Sequence, residues 1–143
     1  MKESSIEAKD VLNEKYDDLP QKRKVYTLLL LHQDNKILLG YKKRGFGQGK
    51  WNGFGGKCEE GETIRRAAFR EMKEESGLDM VEDDVKKVGI LEFTFVGKPV
   101  LMEVHIFKAS KFSGVLSESD GRYLYLFNMC VCIYSQYSYI LYI

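Results

Sequence analysis

The sequence predicts a single α/β (α+β) domain, and two observations carry that prediction. The chain has 143 residues, a length that suits one domain built around one hydrophobic core. Apolar runs with the character of strands lie on both sides of one amphipathic helical segment, in the order strand, strand, loop, helix, strand, strand. Strands interspersed with a helix are typical of folds that combine a sheet with helices.

The first 24 residues are expected to form a charged leader outside the domain. Residues 1–24 hold six acidic and six basic side chains and no apolar signal core. The acidic residues argue against a mitochondrial transit peptide. We expect this leader to be disordered or a frayed helix.

Two strands are predicted before the helix. Residues 25–31 are an apolar run suited to a buried strand, residues 32–35 turn the chain, and residues 36–41 form the second strand. Further along, residues 97–99 read Gly-Lys-Pro, which is typical of the turn of a later hairpin.

The helix itself is predicted over residues 63–76. Glu62 and Thr63 give its start acidic and capping character, and Gly77 suits the left-handed position just past its end. Glu75 lies beside the apolar stripe of this helix, so we expect it to be partly buried. The apolar stripe consists of Ile64, Ala68, Phe69 and Met72.

Three carboxylates share one side of this helix. At about 3.6 residues per turn, Glu71, Glu74 and Glu75 fall within about a third of the circumference, where they repel one another. A hard divalent cation removes that repulsion, and magnesium usually bridges a few carboxylates to substrate phosphates. The alternative is a solvated acidic face, with the charge balanced by Arg65, Arg66, Arg70 and Lys73.

The whole stretch from Gly56 to Leu78 is more specific than the helix alone. It fits, letter for letter, the pattern G-x5-E-x7-R-E-U-x-E-E-x-G-U, where U is apolar. That pattern is the signature of the Nudix hydrolases, and the chain resembles this family. The resemblance implies a mixed sheet sandwiched between helices. It also implies an enzyme in which water attacks a nucleoside diphosphate linked to another group.

The resemblance assigns roles to individual residues. A divalent ion, Mg²⁺ with Mn²⁺ as the other choice, would be held by Glu71, Glu74 and Glu75 together with the carbonyl of Gly55. One glutamate would act as the base, and Glu74 and Glu75 both remain candidates. A pair between Glu62 and Arg70 would brace the loop against the helix. The catalytic residues implied are Glu62, Arg70, Glu71, Glu74 and Glu75.

Residues 40–57 and 88–107 resemble one branch of the family in particular, and the likeness runs from about residue 25 to residue 120. Members of that branch hydrolyse oxidised purine (deoxy)nucleoside triphosphates, of the 8-oxo-dGTP and 2-oxo-dATP type, to monophosphate and pyrophosphate. This sanitises the nucleotide pool and prevents mutation. The substrate-binding residues implied are Thr27, Lys42, Phe46, Asn52, Phe54, Gly55, Gly56, Lys57, Phe93 and Phe95.

Side-chain chemistry agrees with a purine site. Asn52 would hydrogen-bond the base edge, because one amide can both donate and accept, and Phe46, Phe93 and Phe95 would wall the base pocket. Phe93 and Phe95 lie two apart on a predicted strand, so they share a face. The alternative is that both phenylalanines are core residues. Residues 45–56 hold six glycines, which let the backbone approach phosphates closely.

The chain departs from the family after Asp120. The resemblance implies that close relatives in the same branch have a further glutamate, which helps to hold the metal, where this chain has Gly121. We therefore divide the chain into the leader, a domain over residues 25–120 and an atypical tail over residues 121–143, so the C-terminal part of the fold is expected to be incomplete. The tail has one charged residue, Arg122, and seven aromatic residues among 23.

Two outcomes remain open for this tail. Loss of the family's native end would expose apolar surface and an unpaired sheet edge, unless the tail pairs as a substitute strand. In either case we expect reduced stability and weak or absent catalysis. Its polar second half argues against a membrane helix.

Composition limits the partners. A net charge of +1 gives no bulk field that would favour nucleic acid or a membrane. Three cysteines do not make a disulfide framework, so a reducing compartment is expected: the cytoplasm, with the nucleus and mitochondrial matrix open. We expect a monomer that acts on a small nucleotide. The aromatic tail is the part of the chain expected to favour association between copies. Alternatives are a Nudix hydrolase of another nucleoside diphosphate derivative, or an impaired form that only binds nucleotide or a partner.

Overall fold

The computed structural model describes residues 22–45 and 47–128. This part of the chain forms a six-stranded sheet, a two-stranded sheet and one α-helix. The elements are β1 (Lys22–Gln33), β2 (Lys36–Lys42), β3 (Trp51–Asn52), α1 (Ile64–Ser76), β4 (Leu78–Met80), a single 3-10 turn (Glu82–Asp84), β5 (Lys86–Phe95), β6 (Lys98–Ala109), β7 (Phe112–Gly114) and β8 (Arg122–Asn128).

The large sheet is mixed, as predicted. Its strands run in the order β3-β2-β1-β6-β5, and β8 pairs with β2. β1 runs parallel to β6, and the other pairs are antiparallel. The predicted α+β class and the order of elements are confirmed. Within residues 22–45 and 47–128, α1 is the only α-helix, and it covers one face of the sheet.

The first hairpin forms where the sequence predicts it. Leu31 pairs with Leu38, and the chain reverses at Asp34 and Asn35, which have φ angles of 49° and 61°. Two successive positive φ values are typical of a type I′ turn, whose twist matches the flanking strands. β1 begins earlier than predicted, because residues 22–24 already pair with β6, so the predicted leader is too long by three residues.

Beyond this hairpin β1 and β2 diverge, and the chain after β3 fills the gap between them. Leu29 and Phe54 exchange both backbone hydrogen bonds, at 2.6 and 2.9 Å, and Thr27 N–H donates to the carbonyl of Gly56 at 2.9 Å. A Cβ on Gly55 would lie 2.0 Å from the carbonyl oxygen of Thr27, so only glycine permits this approach. Residues 53–57 are therefore held against β1 as a backbone strap.

Helix α1 begins and ends at the predicted caps. Thr63 Oγ1 accepts from the N–H of Arg66, and Gly77 has a φ of 77° in the left-handed region. Ala68 and Met72 are fully buried against the sheet, so the predicted apolar stripe is confirmed. Burial of this stripe fixes which way the acidic side chains of the helix point.

Strand β8 closes the outer edge of β2. Its seven residues pair with the whole of β2, from Lys42 opposite Arg122 to Lys36 opposite Asn128. Of the two outcomes considered for the tail, pairing as a substitute strand is the one observed, and the edge of β2 is not left open. Tyr123 and Tyr125 of this strand are 51% and 58% exposed. The rest of the predicted tail, residues 129–143, lies outside the described residues.

Candidate active site

Two helix glutamates lie against the glycine strap. The N–H of Gly55 donates to Oε2 of Glu75 at 3.1 Å. The neighbouring Gly56 lies so close to Glu71 that a Cβ there would be 2.3 Å from Oε1 of Glu71. The side chains of Glu71 and Glu75 are 15% and 17% exposed, and partial burial was expected for Glu75, which lies beside the apolar stripe. Their oxygens therefore lie at the junction of helix and strap.

Arg70 connects the helix to the loop before it. Its guanidinium makes two bonds to the carboxylate of Glu62, Nε to Oε2 at 3.2 Å and Nη2 to Oε1 at 2.8 Å. The same group also donates to Oε1 of Glu71 at 3.0 Å and to Oε2 of Glu74 at 3.3 Å. The expected contact between Glu62 and Arg70 is present, and Arg70 also faces two of the three helix carboxylates.

Hydrogen bonds and charge shift the titration of this pair. The bonds from Arg70 hold the pKa of Glu62 below its usual value, and the N–H of Glu59 contributes in the same direction. Glu62 in turn raises the pKa of Arg70, so the pair is ionised throughout the neutral range. Its bidentate geometry fixes the direction of both side chains.

The first residue of β8 places a second arginine at the site. Nε of Arg122 lies 2.8 Å from Oε1 of Glu75, so the two side chains form an ion pair. Nη1 donates to the carbonyl of Gly53 at 3.0 Å, and the residue is only 4% exposed. Sequence reasoning missed this role, and the only signal was that Arg122 is the single charged residue of the tail.

Burial and charge act in opposite directions on Glu75. Burial raises the pKa of Glu75, and Arg122 and the N–H of Gly55 only partly offset that effect. Burial also lowers the pKa of Lys42, with a further contribution from the positive charge of Arg122. Both side chains are partly withdrawn from solvent where helix, strap and β8 meet.

A cleft opens beside these carboxylates. Its lining includes six of the predicted substrate-binding residues together with Arg122. Oδ1 of Asn52 accepts from the N–H of Gly53 at 2.8 Å, which leaves the amide nitrogen of Asn52 free to face a ligand. The six residues are Thr27, Lys42, Asn52, Gly55, Gly56 and Phe93.

Phe95 lies in the depression next to this cleft. Its ring meets that of Phe93 edge to face, with the ring centroids 5.4 Å apart. A register shift between Phe93 and Phe95 interrupts the strand pairing, but the predicted aromatic pair stays in contact. The two hollows share Tyr26 and Met102, so they form one continuous surface.

Phe54 and Lys57, which were also predicted to bind substrate, line neither the cleft nor the depression beside it. The Phe54 side chain is fully buried in the core and both of its backbone polar groups bond to Leu29, so the expectation that it contacts substrate is corrected. Lys57 is exposed outside the cleft, and its carbonyl accepts from Arg70 at 3.2 Å. Phe46 lies outside the described residues.

The donor atoms suit a hard divalent cation in their chemistry. Carboxylate oxygens of Glu71 and Glu75 lie beside the Gly55–Gly56 backbone, and such oxygen donors are what Mg²⁺ and Mn²⁺ prefer. In the described ranges, however, no three acidic, histidine or cysteine side chains converge on one point. Arg70 pairs with Glu71 and Arg122 pairs with Glu75 at this junction.

Comparison with known proteins identifies the family. The NUDIX domain family matches residues 20–121, which is well over half of the chain. The chain belongs to the NUDIX domain family. A solved structure, a MutT NUDIX hydrolase from Burkholderia pseudomallei, superposes with a TM-score of 0.68 at 25% identity, covering 76% of this chain and 84% of that one. NUDIX hydrolases generally use divalent metal ions, and they act on nucleotide substrates.

Curated NUDIX relatives share the central part of the sequence. The chain is 56% identical over 97 residues to the oxidized purine nucleoside triphosphate hydrolase of Mus musculus. It is 55% identical over 97 residues to the protein of that name in Danio rerio. In both comparisons the match covers 68% of this chain and 61% of the relative. The NUDIX match ends at residue 121, so Arg122 and β8 lie just beyond it.

In the part of the chain that the structure describes, no helix has the length and apolar character needed to cross a bilayer.

Proposed function

We propose that this chain hydrolyses oxidised purine nucleoside triphosphates, of the 8-oxo-dGTP and 2-oxo-dATP type, to the monophosphate and pyrophosphate. One observation carries the proposal: the carboxylates of Glu71 and Glu75 lie against the Gly55–Gly56 strap beside a cleft that contains Asn52 and Phe93. The names of the mouse and zebrafish relatives support the substrate class. Such an activity would keep damaged nucleotides out of DNA.

Different residues of the cleft would bind the base and the phosphates of the nucleotide. The ring of Phe93, with Phe95 beside it and Phe46 as a third wall, would take the flat face of the purine. The amide of Asn52 would bind the base edge. Lys42, on the same cleft, would attract the phosphates, and the backbone of Gly55 and Gly56 permits close approach of an anion.

The helix would supply the chemistry. Mg²⁺, or Mn²⁺, would be held by Glu71, Glu74, Glu75 and the carbonyl of Gly55, and would neutralise charge on the phosphates during attack by water. The hydrogen bonds between Arg70 and Glu62 would hold the loop in a fixed position against the helix. Glu75 is the better candidate for the base because its burial raises its pKa, whereas Glu74 is 58% exposed.

The proposal also implies where and how the protein acts. A nucleotide-pool enzyme of this kind would work as a monomer on a small molecule, without binding nucleic acid or membrane directly. It would belong in the cytoplasm, and the nucleus and mitochondrial matrix also contain the substrate.

A substrate panel tests the assignment. Pure protein is incubated with 8-oxo-dGTP, dGTP, ADP-ribose and a dinucleoside polyphosphate, and pyrophosphate and nucleoside monophosphate are quantified. The proposal expects pyrophosphate from the oxidised triphosphate at a higher kcat/KM than from dGTP. Faster cleavage of ADP-ribose or of the dinucleotide would move the chain to another NUDIX substrate class.

One observation favours a second candidate, a protein that binds nucleotide without turning it over. The Arg122–Glu75 ion pair engages the best base candidate, and Gly121 stands where the family's further glutamate would be. This candidate expects nucleotide to raise the melting temperature while no pyrophosphate is released.

A further inference from the structure

We propose that Arg122 acts as a built-in cation that competes with a divalent metal ion for Glu75. The inference rests on the proposed function, which makes Glu75 a metal ligand. It concerns a residue that lies just beyond the family match, at the start of β8.

Arg122 is packed into place and is not a surface side chain that moves freely. It is 4% exposed, its guanidinium lies 5.6 Å from the ring centroid of Phe54, and Nη1 donates to the carbonyl of Gly53 at 3.0 Å. Gly40 makes room for it, since a Cβ on Gly40 would lie 2.7 Å from Cδ of Arg122. These contacts therefore fix the guanidinium of Arg122 in one position.

In that position Arg122 contacts the carboxylate of Glu75, through which a metal ion would bind. Oε2 of Glu75 already accepts from Gly55, and Oε1 lies 2.8 Å from Nε of Arg122. A divalent ion and a guanidinium on the same carboxylate repel each other strongly in a partly dry site. A metal ion bound through Glu75 would therefore either lie close to this guanidinium or displace it from its contacts, and both effects would weaken metal affinity.

The positive charges of Arg70 and Arg122 also act against metal binding. Arg70, which also pairs with Glu62 and Glu74, faces Glu71 at 3.0 Å, and Arg122 faces Glu75 at 2.8 Å, so each of these two carboxylates has a cationic neighbour within the protein. These two guanidinium groups weaken the negative potential that a divalent ion would meet at the site.

Binding of Mn²⁺ alone, in the absence of nucleotide, tests the proposal. The affinities of the full-length wild-type chain, R122M, E75Q and R122M/E75Q are measured by electron paramagnetic resonance at one fixed pH. Removing the competing cation should tighten Mn²⁺ binding by R122M about tenfold or more, and adding E75Q should remove that gain. An R122M affinity no tighter than that of the wild type overturns the proposal.

A matched control separates a local contact from bulk charge. Lys43 lies near the start of β8, where Nζ donates to the carbonyl of Ser119 at 2.9 Å and does not contact Glu75. K43M removes the same unit of charge, so it should leave Mn²⁺ affinity within about threefold of the wild type. A gain in K43M equal to that in R122M overturns the specific role of Arg122.

Two further measurements keep the test decisive. If R122M does not melt cooperatively, the wild type is compared with E75Q alone. A loss of affinity below about fivefold supports the proposal, and a larger loss contradicts it, because Arg122 should already engage Glu75. Turnover of 8-oxo-dGTP by the wild type and R122M is recorded separately. Absence of turnover in both proteins, with the Mn²⁺ difference intact, would defeat only the proposed function.

Discussion

Gly56 lies directly against the carboxylate of Glu71, so closely that a Cβ on residue 56 would be 2.3 Å from Oε1 of Glu71. The contact joins the strap to the acidic side of α1. Since the N–H of Gly55 also donates to Glu75, two consecutive glycines position two carboxylates. The strap therefore acts as a template for the acidic site, and its glycines are needed for space.

Substitution of Gly56 by alanine should disable the site without unfolding the protein. The methyl group must push Glu71 away, and a misplacement of about 1 Å in a catalytic group costs roughly 100-fold in rate. Turnover of 8-oxo-dGTP by G56A measures the loss. G89A is the matched control, because a Cβ on Gly89 would meet no atom within 4 Å and the residue has no positive φ. Equal activity of G56A and wild type would contradict the template role.

Replacement of Glu75 by glutamine should separate catalysis from binding. The amide keeps the shape but cannot accept a proton, so we expect kcat to fall by roughly 100-fold or more while nucleotide affinity changes little. Pyrophosphate release and calorimetric titration with the nucleotide are measured on the same preparation. The control is E82Q, since Glu82 lies on the 3-10 turn and its carboxylate is paired with Arg65. Full activity of E75Q would exclude both the base and the metal-ligand assignments.

The Glu62–Arg70 brace predicts a pH-dependent loss of stability. Because the folded pKa of Glu62 is lowered from its ordinary value of 4.5, ionised Glu62 stabilises the fold above that pH, and the contribution disappears as the pH falls through the folded pKa. E62Q should therefore lower the free energy of unfolding by about 1 kcal/mol at pH 7, allowing for partial exposure of the pair.

Urea denaturation at pH 7 and at progressively lower pH measures this difference. The two proteins should converge in stability as the pH falls below 4.5, the ordinary value for the carboxyl. E60Q serves as the control, because Glu60 is an exposed acid in the same loop. If the difference in unfolding free energy between E62Q and wild type grew as the pH fell, the Glu62–Arg70 contact would not be ionic.

Strand β8 should be required for a cooperative fold. A chain ending at residue 128 retains the strand, and a chain ending at residue 121 lacks it and leaves the β2 edge unpaired. We expect the shorter chain to lose several kcal/mol, and at about 4–8 °C per kcal/mol its melting temperature should fall by well over 10 °C. Thermal melting and light scattering compare the two. Equal melting curves would show that β8 adds nothing to the sheet.

Local chemistry made much of the fold predictable. Thr63 and Gly77 are cap residues whose preference is set by their own backbone geometry, so both ends of α1 could be placed from sequence. The Asp34–Asn35 turn is similarly local. The acidic side of α1 followed from helical spacing, and the Glu62–Arg70 contact followed from family resemblance.

The features that could not be predicted depend on contacts between residues far apart in the sequence. The sequence does not show that Phe54 is covered by the core, because its burial depends on the strap filling the gap between β1 and β2. Arg122 contacts Gly53 across 69 positions of sequence, and only the pairing of β8 with β2 creates that contact. An alternating aromatic strand predicts pairing in general but does not specify its partner or register.

Hydrolysis of 8-oxo-dGTP by the pure chain, with Mg²⁺ and with Mg²⁺ removed by a chelator, tests the central assignment most directly. We predict that pyrophosphate is released only when the metal is present and that E75Q abolishes the release. Release that continues at the same rate in chelator, or none at any Mg²⁺ concentration, would contradict an acidic helix that acts on polyphosphate through a divalent ion.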